Sequence, residues 1–266
     1  MGTPRPRVAL TVAGSDSSGG AGIQADLKTF AAHGVYGVSA IAAITAQNTT
    51  GVASFQAVPA DLVTAQIEAV VSDIGVHAAK TGMLPTAAVV EAVAAAVVDL
   101  EIPLLVVDPV MIATSGDRLI DEEAVASMKA ELIGRALVVT PNIPEAEVLA
   151  DIRITTDADR RNAARRIAAH GATAVIIKGG HWASRDILDL LYDGERFHEF
   201  RAERVAAAST HGTGCTFAAA LTARLARGTP LADAIPMVQE YIAGALRSAP
   251  GLGHGHGPMN HFWKLY

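Results

Sequence analysis

The chemistry of this chain is most visible in residues 209–216, Ser-Thr-His-Gly-Thr-Gly-Cys-Thr, where two glycines lead into a helical pattern. Glycines let a backbone fold closely around a ligand, and the free N–H groups at a helix start favour negative charge. The backbone of Gly212 and Gly214 is therefore predicted to form an anion hole that suits phosphate. A glycine-rich turn followed by an inert buried cysteine is the alternative interpretation.

Cys215 lies in the first turn of the predicted helix, which spans residues 213–227. Phe217, Leu221 and Leu225 recur four residues apart and form the apolar stripe of this helix. A thiol at a helix N-terminus ionises more readily than a free cysteine. Cys215 is therefore a candidate general base or nucleophile beside the anion hole.

A second glycine-rich loop, residues 14–22, follows the first predicted strand. Residues 20–25 fit the G-x-G-x-x-A dinucleotide-binding fingerprint. The acidic residue that should hold a ribose about 20 positions later is missing, which disfavours a dehydrogenase. Residues 75–81 lack the second glycine of a Walker A motif.

Other polar residues follow predicted strands, and each has a structural alternative. Asp108 precedes a proline at a strand tip, where it would either hold magnesium or make a local turn contact. The spacing of Asn142 and Glu145 is that of a helix N-cap with a glutamate reaching back, which explains both without chemistry. Lys178 and Lys80, at the ends of two strands, either reach a phosphate or extend to solvent.

The elements that must position these residues alternate between strands and helices. Short β-branched runs predict strands at 8–13, 38–45, 77–80, 104–108, 137–140 and 174–178. Alanine-rich segments predict helices at 22–32, 60–72, 87–98, 122–133, 157–170 and 213–227. Right-handed crossovers would give a mostly parallel sheet with helices on both faces and a site at the carboxyl ends of the strands.

Two segments interrupt this alternation. Residues 54–58 form a lone extended piece, and residues 188–200 form a hairpin that turns at Asp193 and Gly194. Both are predicted to be antiparallel edges of the sheet.

Composition limits the class of protein. The 266 residues carry a net charge of −6 with scattered basic residues, which gives no electrostatic case for nucleic acid or membrane partners. Residues 1–266 are expected to form one domain, since no linker-like stretch interrupts them. A single cysteine excludes an intrachain disulfide, and the first residues lack the apolar core of a signal peptide. We expect a cytoplasmic enzyme that acts on small metabolites.

Taken together, these segments resemble the hydroxymethylpyrimidine/phosphomethylpyrimidine kinases of the ribokinase superfamily. The resemblance covers nearly the whole chain, in the order found in that family. It is carried by residues 13–30, 45–49, 80–83, 108–111, 140–145, 177–180, 210–215 and 255–258. It implies a single-domain ribokinase-like α/β fold, with a mostly parallel sheet and small antiparallel edge elements. It also implies that ATP phosphorylates a hydroxymethylpyrimidine and then its monophosphate, for thiamine synthesis.

The resemblance assigns the substrate side of the site. Gln47 would recognise the aminopyrimidine through its amide. Asp26 and the backbone near Gly14 would assist, and Met83 would pack nearby.

The resemblance also assigns the phosphate side. Asn142 and Glu145 would organise Mg²⁺ and the phosphates, with Asp108 close by. Lys178 and Thr210 would face the transferred phosphate. The backbone from Gly212 through Thr213 and Gly214 would stabilise its charge. Cys215 would activate the substrate hydroxyl, at the position where sugar kinases of the superfamily usually have aspartate.

One residue departs from the family pattern, and two other functions are alternatives. Gln239, on the adenine side of the nucleotide, stands where many relatives are expected to have lysine. Pyridoxal or pyridoxine kinase activity, alone or as a second function, is the nearest alternative, although Gln47 and Met83 favour the pyrimidine. A catalytically silent pyrimidine-binding module is an alternative from another class. The resemblance further suggests a homodimer.

Overall fold

The central feature of the computed structural model is a sheet, and the structure describes residues 5–112, 116, 119–181, 186–207 and 209–265. Within these residues the sheet has nine strands in the order β3-β2-β1-β4-β5-β6-β7-β8-β9. The strands are β1 (Val8–Gly14), β2 (Tyr36–Asn48), β3 (Gly51–Ala57), β4 (Ala78–Thr81), β5 (Leu105–Val107), β6 (Val138–Val139), β7 (Ala174–Ile177), β8 (Asp186–Tyr192) and β9 (Phe197–Glu203).

The sheet is parallel in its centre and antiparallel at both edges. Strands β1, β2, β4, β5, β6 and β7 pair in parallel. Strand β3 runs antiparallel to β2, and β8 and β9 form an antiparallel hairpin that pairs with β7. Both predicted edge elements are therefore confirmed, and so is the mostly parallel α/β fold.

Eight α-helices occur in the described part of the chain. They are α1 (Gly22–Ala32), α2 (Ala60–Asp73), α3 (Ala87–Asp99), α4 (Glu122–Ser127), α5 (Ile143–Ala150), α6 (Asp157–Ala168), α7 (Thr213–Ala226) and α8 (Leu231–Arg247). The predicted helix 122–133 is shorter as an α-helix, since a π-helical turn, Met128–Leu132, and a 3₁₀ turn, Ile133–Arg135, complete it. No described helix is long and apolar enough to cross a membrane.

The alternation of side chains along β1 separates two helical layers. Leu10 and Val12 are buried in the large core that includes Val63 of α2 and Val90 of α3. Ala9 points to the opposite face, toward α1 and α7. Successive side chains of a strand face opposite sides, so a strand covered on both faces is apolar throughout.

Small side chains bring α7 close to the sheet. Ala218, Ala219, Ala220 and Ala223 of this helix are all fully buried. Because alanine adds little volume, the helix backbone can approach β1 and β4. The start of α7 thereby comes to the carboxyl ends of the parallel strands, where ligands bind in such folds.

Candidate active site

A cavity of about 1170 Å³ opens at the carboxyl ends of the parallel strands. This volume exceeds the range of about 300 to 1,000 Å³ that is usual for one small-molecule pocket, so it offers room for two ligands. Its walls include every site residue predicted from the sequence except Asp26. They are Gly14, Gln47, Met83, Asp108, Asn142, Glu145, Lys178, Thr210, Gly212, Thr213, Gly214 and Cys215.

The start of α7 has the geometry of an anion hole. Gly212 is the N-cap and has a φ of 77°, a left-handed conformation that favours glycine. A Cβ at Gly212 would also collide with the backbone oxygen of Gly20. The Thr213 N–H donates to the Thr210 carbonyl at 3.3 Å, whereas the N–H groups of Gly214 and Cys215 have no acceptor within the helix and are available to an anion.

The thiol of Cys215 lies between the N-termini of two helices. Cys215 is in the first turn of α7, and the backbone N–H of Gly22, the first residue of α1, donates to its sulfur. Burial nevertheless raises the pKa of Cys215 to about 12, while the nearby Lys80 acts in the opposite direction. The expectation of a readily ionised thiol is therefore wrong, because desolvation outweighs the helix termini.

Lys178 and Asp108 form an ion pair on the cavity wall. Lys178 Nζ is 3.1 Å from Asp108 Oδ1, and Thr140 Oγ1 donates to the same oxygen at 3.3 Å. Burial disfavours the charged amine, but the carboxylates of Asp108 and Glu145 prevail and raise the pKa of Lys178. The charged ammonium of Lys178 thus lies close to the start of the anion hole. A Cβ built on Gly214 would be only 3.3 Å from Lys178 Nζ.

Asn142 and Glu145 form the predicted helix cap at the start of α5. The Asn142 side chain accepts from the Glu145 N–H at 2.9 Å, and the Glu145 carboxylate accepts from the Asn142 N–H at 2.8 Å. Burial raises the pKa of Glu145 to about 7, and the charge of Asp108 adds to this effect. The cap does not exclude chemistry, because both residues also line the cavity.

The carboxylates beside Lys178 fit a magnesium ion. Asp108 Oδ2 is buried and has no hydrogen-bond partner among the described residues, which leaves a carboxylate oxygen able to coordinate a cation. Over the residues that the structure describes, no group of three or more His, Cys, Asp or Glu side chains could hold a metal. Mg²⁺ at phosphate sites is usually bound by one or two carboxylates together with phosphates and water, so Asp108 and Glu145 would be the protein groups to hold it.

Gln47 is fixed near the end of β2 by its backbone. Ser17 Oγ donates to the Gln47 carbonyl at 2.6 Å, and the Gln47 N–H donates to the same hydroxyl at 2.8 Å. Among the residues that the structure describes, the side-chain amide contacts Thr45 and His211, each at 3.4 Å. Such long contacts leave the amide free to pair with a ligand.

Gly14 and Met83 form the neighbouring wall of the cavity. The N–H of Gly14 donates to the Met83 carbonyl at 3.2 Å, and a Cβ on Gly14 would lie 3.0 Å from the Met83 sulfur. The absence of a side chain at Gly14 therefore makes room for the thioether.

Asp26 does not lie on the cavity surface. It is fully buried, with Thr11 Oγ1 at 2.6 Å and Lys80 Nζ at 3.0 Å. This ion pair raises the pKa of Lys80. A direct contact between Asp26 and the substrate is thus not supported, because the carboxylate faces β1 and β4 behind the site.

Sequence reasoning did not single out two side chains that the structure places in the site, Asp16 and His211. They form a buried contact of 2.8 Å across the cavity edge. Their positions in the two glycine-rich loops were the sequence signal that could have identified them as site residues. Gln239 also lines the cavity, and its amide donates to Asp189 at 2.8 Å. Because the amide is uncharged, Gln239 brings no positive charge to this part of the cavity.

The parallel strands end at a site that contains an anion hole, a buried lysine and two carboxylates. This arrangement defines a phosphotransferase of the ribokinase-like class. Comparison with known proteins identifies the family. The sequence profile of phosphomethylpyrimidine kinase matches residues 16–260, and the chain belongs to this family. It is therefore a phosphotransferase.

Individual relatives agree with this assignment. The chain is 51% identical to the thiamine biosynthesis bifunctional protein ThiED of Geobacter sulfurreducens, covering 97% of this chain but only 52% of that protein. It is 47% identical to the hydroxymethylpyrimidine/phosphomethylpyrimidine kinase of Bacillus subtilis, over 96% of this chain and 94% of the relative. An ADP complex of Bacillus subtilis pyridoxal kinase superposes with a TM-score of 0.89 at 38% identity, over 97% and 98% of the two chains.

Proposed function

We propose that this kinase transfers phosphate from ATP to 4-amino-5-hydroxymethyl-2-methylpyrimidine and then to its monophosphate, for thiamine synthesis. The observation that carries the proposal is the proximity of two subsites in one cavity. The Gln47 amide lies 3.4 Å from His211, the residue that directly precedes Gly212 of the anion hole. A pyrimidine bound at Gln47 would thus present its hydroxymethyl group beside Cys215.

The division of roles follows from charge. Lys178 and the first-turn N–H groups of α7 would stabilise the transferred phosphate, with Thr210 and Thr213 at the entrance to this turn. Asp108 and Glu145 would hold Mg²⁺, which neutralises the phosphates when bound. Asn142 would position the nucleotide beside this pair.

Cys215 would accept the proton of the attacking hydroxyl. Its pKa of about 12 means that it rests as a neutral thiol. Neutralisation of the Asp108 charge by bound Mg²⁺ would favour the thiolate, because this carboxylate raises the pKa of Cys215. The thiol proton would leave to water before the hydroxyl attacks. A free thiol in this role also suits the reducing cytoplasm, the location that we propose.

A product assay tests the reaction. Pure protein is incubated with Mg-ATP and the hydroxymethylpyrimidine, its monophosphate or pyridoxal, and the products are resolved by mass. We expect the pyrimidine monophosphate and diphosphate. Phosphorylation of pyridoxal alone would reassign the substrate, and absence of any product with bound pyrimidine would indicate a silent binding module.

Pyridoxal kinase activity is the second candidate function. It is favoured by the likeness to the Bacillus subtilis pyridoxal kinase structure over 97% of this chain. Pyridoxal also carries a hydroxymethyl group on a similar ring, so the same cavity could accept it. Gln47 and Met83, which line the same cavity, favour an aminopyrimidine over a pyridine with a phenolic oxygen.

We further propose that two copies associate through the β2–β3 ribbon. Ile44 of β2 is 60% exposed and Phe55 of β3 is 44% exposed. Ile44 pairs with Gln56, and Phe55 pairs with Thr45, so the two apolar side chains lie on opposite faces of the ribbon. An exposed ribbon that is apolar on both faces is suited to insertion against a second copy.

Light scattering after size exclusion tests the dimer. Wild type should elute with the mass of two chains, and the double variant Ile44→Lys/Phe55→Lys with the mass of one. Val98→Lys on α3, a position that is 55% exposed, is the matched control and should remain a dimer. A monomeric wild type, or a dimeric double variant, would contradict this surface.

A further inference from the structure

The contact between Asp16 and His211 joins parts of the chain that are 195 residues apart, and no step described above uses it. His211 Nε2 is 2.8 Å from Asp16 Oδ2, and the two side chains are 6% and 1% exposed. We call this contact the loop clasp. A buried contact between a carboxylate and an imidazole needs a reason, because desolvating an ionised carboxylate is costly.

On one side, the clasp organises the loop of residues 14–22. Asp16 Oδ2 also accepts from the N–H groups of Gly20 at 3.1 Å and Ala21 at 2.7 Å. Asp16 Oδ1 accepts from the N–H and hydroxyl of Ser18, each at 2.8 Å. Although burial opposes it, the hydrogen bonds from His211 and Ser18 lower the pKa of Asp16 to about 2. The carboxylate is therefore ionised and saturated with donors.

This loop carries the substrate subsite. It begins at Gly14, beside Met83, and its Ser17 hydroxyl fixes the Gln47 backbone in both directions. An ionised Asp16 requires a proton on His211 Nε2, because two acceptors at 2.8 Å would repel.

On the other side, the clasp fixes the turn into α7. His211 directly precedes Gly212, and its N–H donates to the Gly257 carbonyl at 3.2 Å. Gly20 packs against the His211 ring, and a Cβ at Gly20 would lie only 2.5 Å from it. The two loops are therefore packed directly against each other at the clasp.

We propose that Asp16 and His211 are positioning residues that hold the substrate loop against the anion-hole turn. The inference rests on the proposed roles of Gln47 and of the Gly212–Cys215 backbone. Phosphoryl transfer depends mainly on in-line positioning, and a displacement of about 1 Å can cost about 100-fold in rate. Loss of the clasp should therefore lower kcat much more than it weakens nucleotide binding.

Three variants at one position test the clasp. His211→Leu fills the space without a donor, and we expect its kcat with hydroxymethylpyrimidine to fall about 10- to 100-fold. Its KM for ATP should stay within about threefold of wild type. His211→Gln places an amide N–H near the position of Nε2 and should recover kcat to within about threefold. If His211→Leu does not fold, His211→Asn, which is too short to reach Asp16, replaces it with the same expectation.

A structural control separates positioning from general loss of stability. His33, another buried histidine, lies at the opposite end of α1 from the cavity. His33→Gln should lower the melting temperature and leave kcat unchanged. The loss in the double variant Asp16→Asn/His211→Leu should be smaller than the product of the two single losses, because both substitutions break the contact between Asp16 and His211.

Each result decides the proposal. Wild-type kcat in His211→Leu or His211→Asn would overturn it, and so would a His211→Gln variant as slow as His211→Leu. Losses that multiply in the double variant would also overturn it. If the wild type itself forms no pyrimidine phosphate, the proposed function fails first, so the two failures are distinguishable.

Discussion

At the scale of single residues, Cys215 combines features that act in opposite directions. Helix N-termini and Lys80 favour the thiolate, whereas burial and two carboxylates oppose it, with a resulting pKa of about 12. The chemistry of this residue is therefore set by the charges that surround it. As the proposed base, Cys215 would act only when bound Mg²⁺ neutralises the carboxylate charge nearby.

Replacing Cys215 tests its role as the base. Cys215→Ala should reduce kcat about 100-fold or more, with little change in nucleotide affinity. Because the chain has one cysteine, alkylation by iodoacetamide reports this thiol alone. Its labelling at pH 8 should be slower than that of free cysteine, since only the thiolate reacts. Wild-type turnover in Cys215→Ala would exclude the role, and rapid labelling would contradict the raised pKa.

Replacing Gln47 tests substrate recognition. Gln47→Ala should raise the KM for hydroxymethylpyrimidine far more than that for ATP, by on the order of 1 to 3 kcal/mol of lost pairing. The backbone contacts with Ser17 survive this change, so the strand should stay intact.

Gln66 provides the matched control for Gln47. Its amide bonds both backbone groups of Ile41 at 2.9 and 3.1 Å and has no place on the cavity wall. Gln66→Ala should lower the melting temperature and keep both Michaelis constants. If Gln47→Ala behaves in the same way, Gln47 only braces the strand.

At the scale of elements, a buried ion pair joins α1 to β4 directly behind the proposed catalytic residues. Asp26 and Lys80 are both fully buried, and Asp26 also accepts from Thr11 of β1. Removing one partner of such a pair leaves an uncompensated charge, whereas removing both does not.

The Lys80 and Asp26 variants should therefore differ in stability. Lys80→Met should lower the free energy of unfolding by about 3 to 5 kcal/mol. The double variant Lys80→Met/Asp26→Leu should recover most of this loss. Urea unfolding of the wild type and both variants measures the difference. Equal stability of the single and double variants would show that the charge of Asp26 is compensated elsewhere.

For some elements, the local sequence pattern was sufficient to predict where the element begins and ends. The bounds of α1 were predicted correctly, and those of α7 to within one residue, because apolar spacing and glycine ends are local signals. Strand β2 was predicted to end at residue 45 but continues to Asn48. Its last residues pair with β3, and this pairing extends a segment with little strand propensity of its own.

At the scale of the whole molecule, the interface of α1, α7 and α8 contains a buried histidine. His33 Nδ1 contacts the Thr29 carbonyl at 2.9 Å, and its ring lies 4.4 Å from that of Tyr241. In the part of the chain that the structure describes, its Nε2 has no hydrogen-bond partner. Burial lowers the pKa of His33 to about 4, from 6.5. Folded His33 thus binds a proton less readily than the unfolded chain.

This difference gives a pH dependence with a defined sign. The contribution of His33 to stability is complete above pH 6.5 and is lost as the pH falls to 4. Relative to His33→Gln, the wild type should lose up to about 3 kcal/mol of unfolding free energy across this range. Urea unfolding at several pH values measures both proteins. Parallel pH profiles would contradict the lowered pKa.

The sequence by itself determined the alternation of strands and helices, the antiparallel edges, the glycine start of α7 and the Asn142–Glu145 cap. Each depends on residues a few positions apart, whose interactions are fixed by local geometry. Tertiary structure alone decided that Asp26 pairs with Lys80, 54 residues away, and that Asp16 meets His211, 195 residues away. It also reversed the expected ionisation of Cys215, because desolvation depends on which distant segments enclose a group.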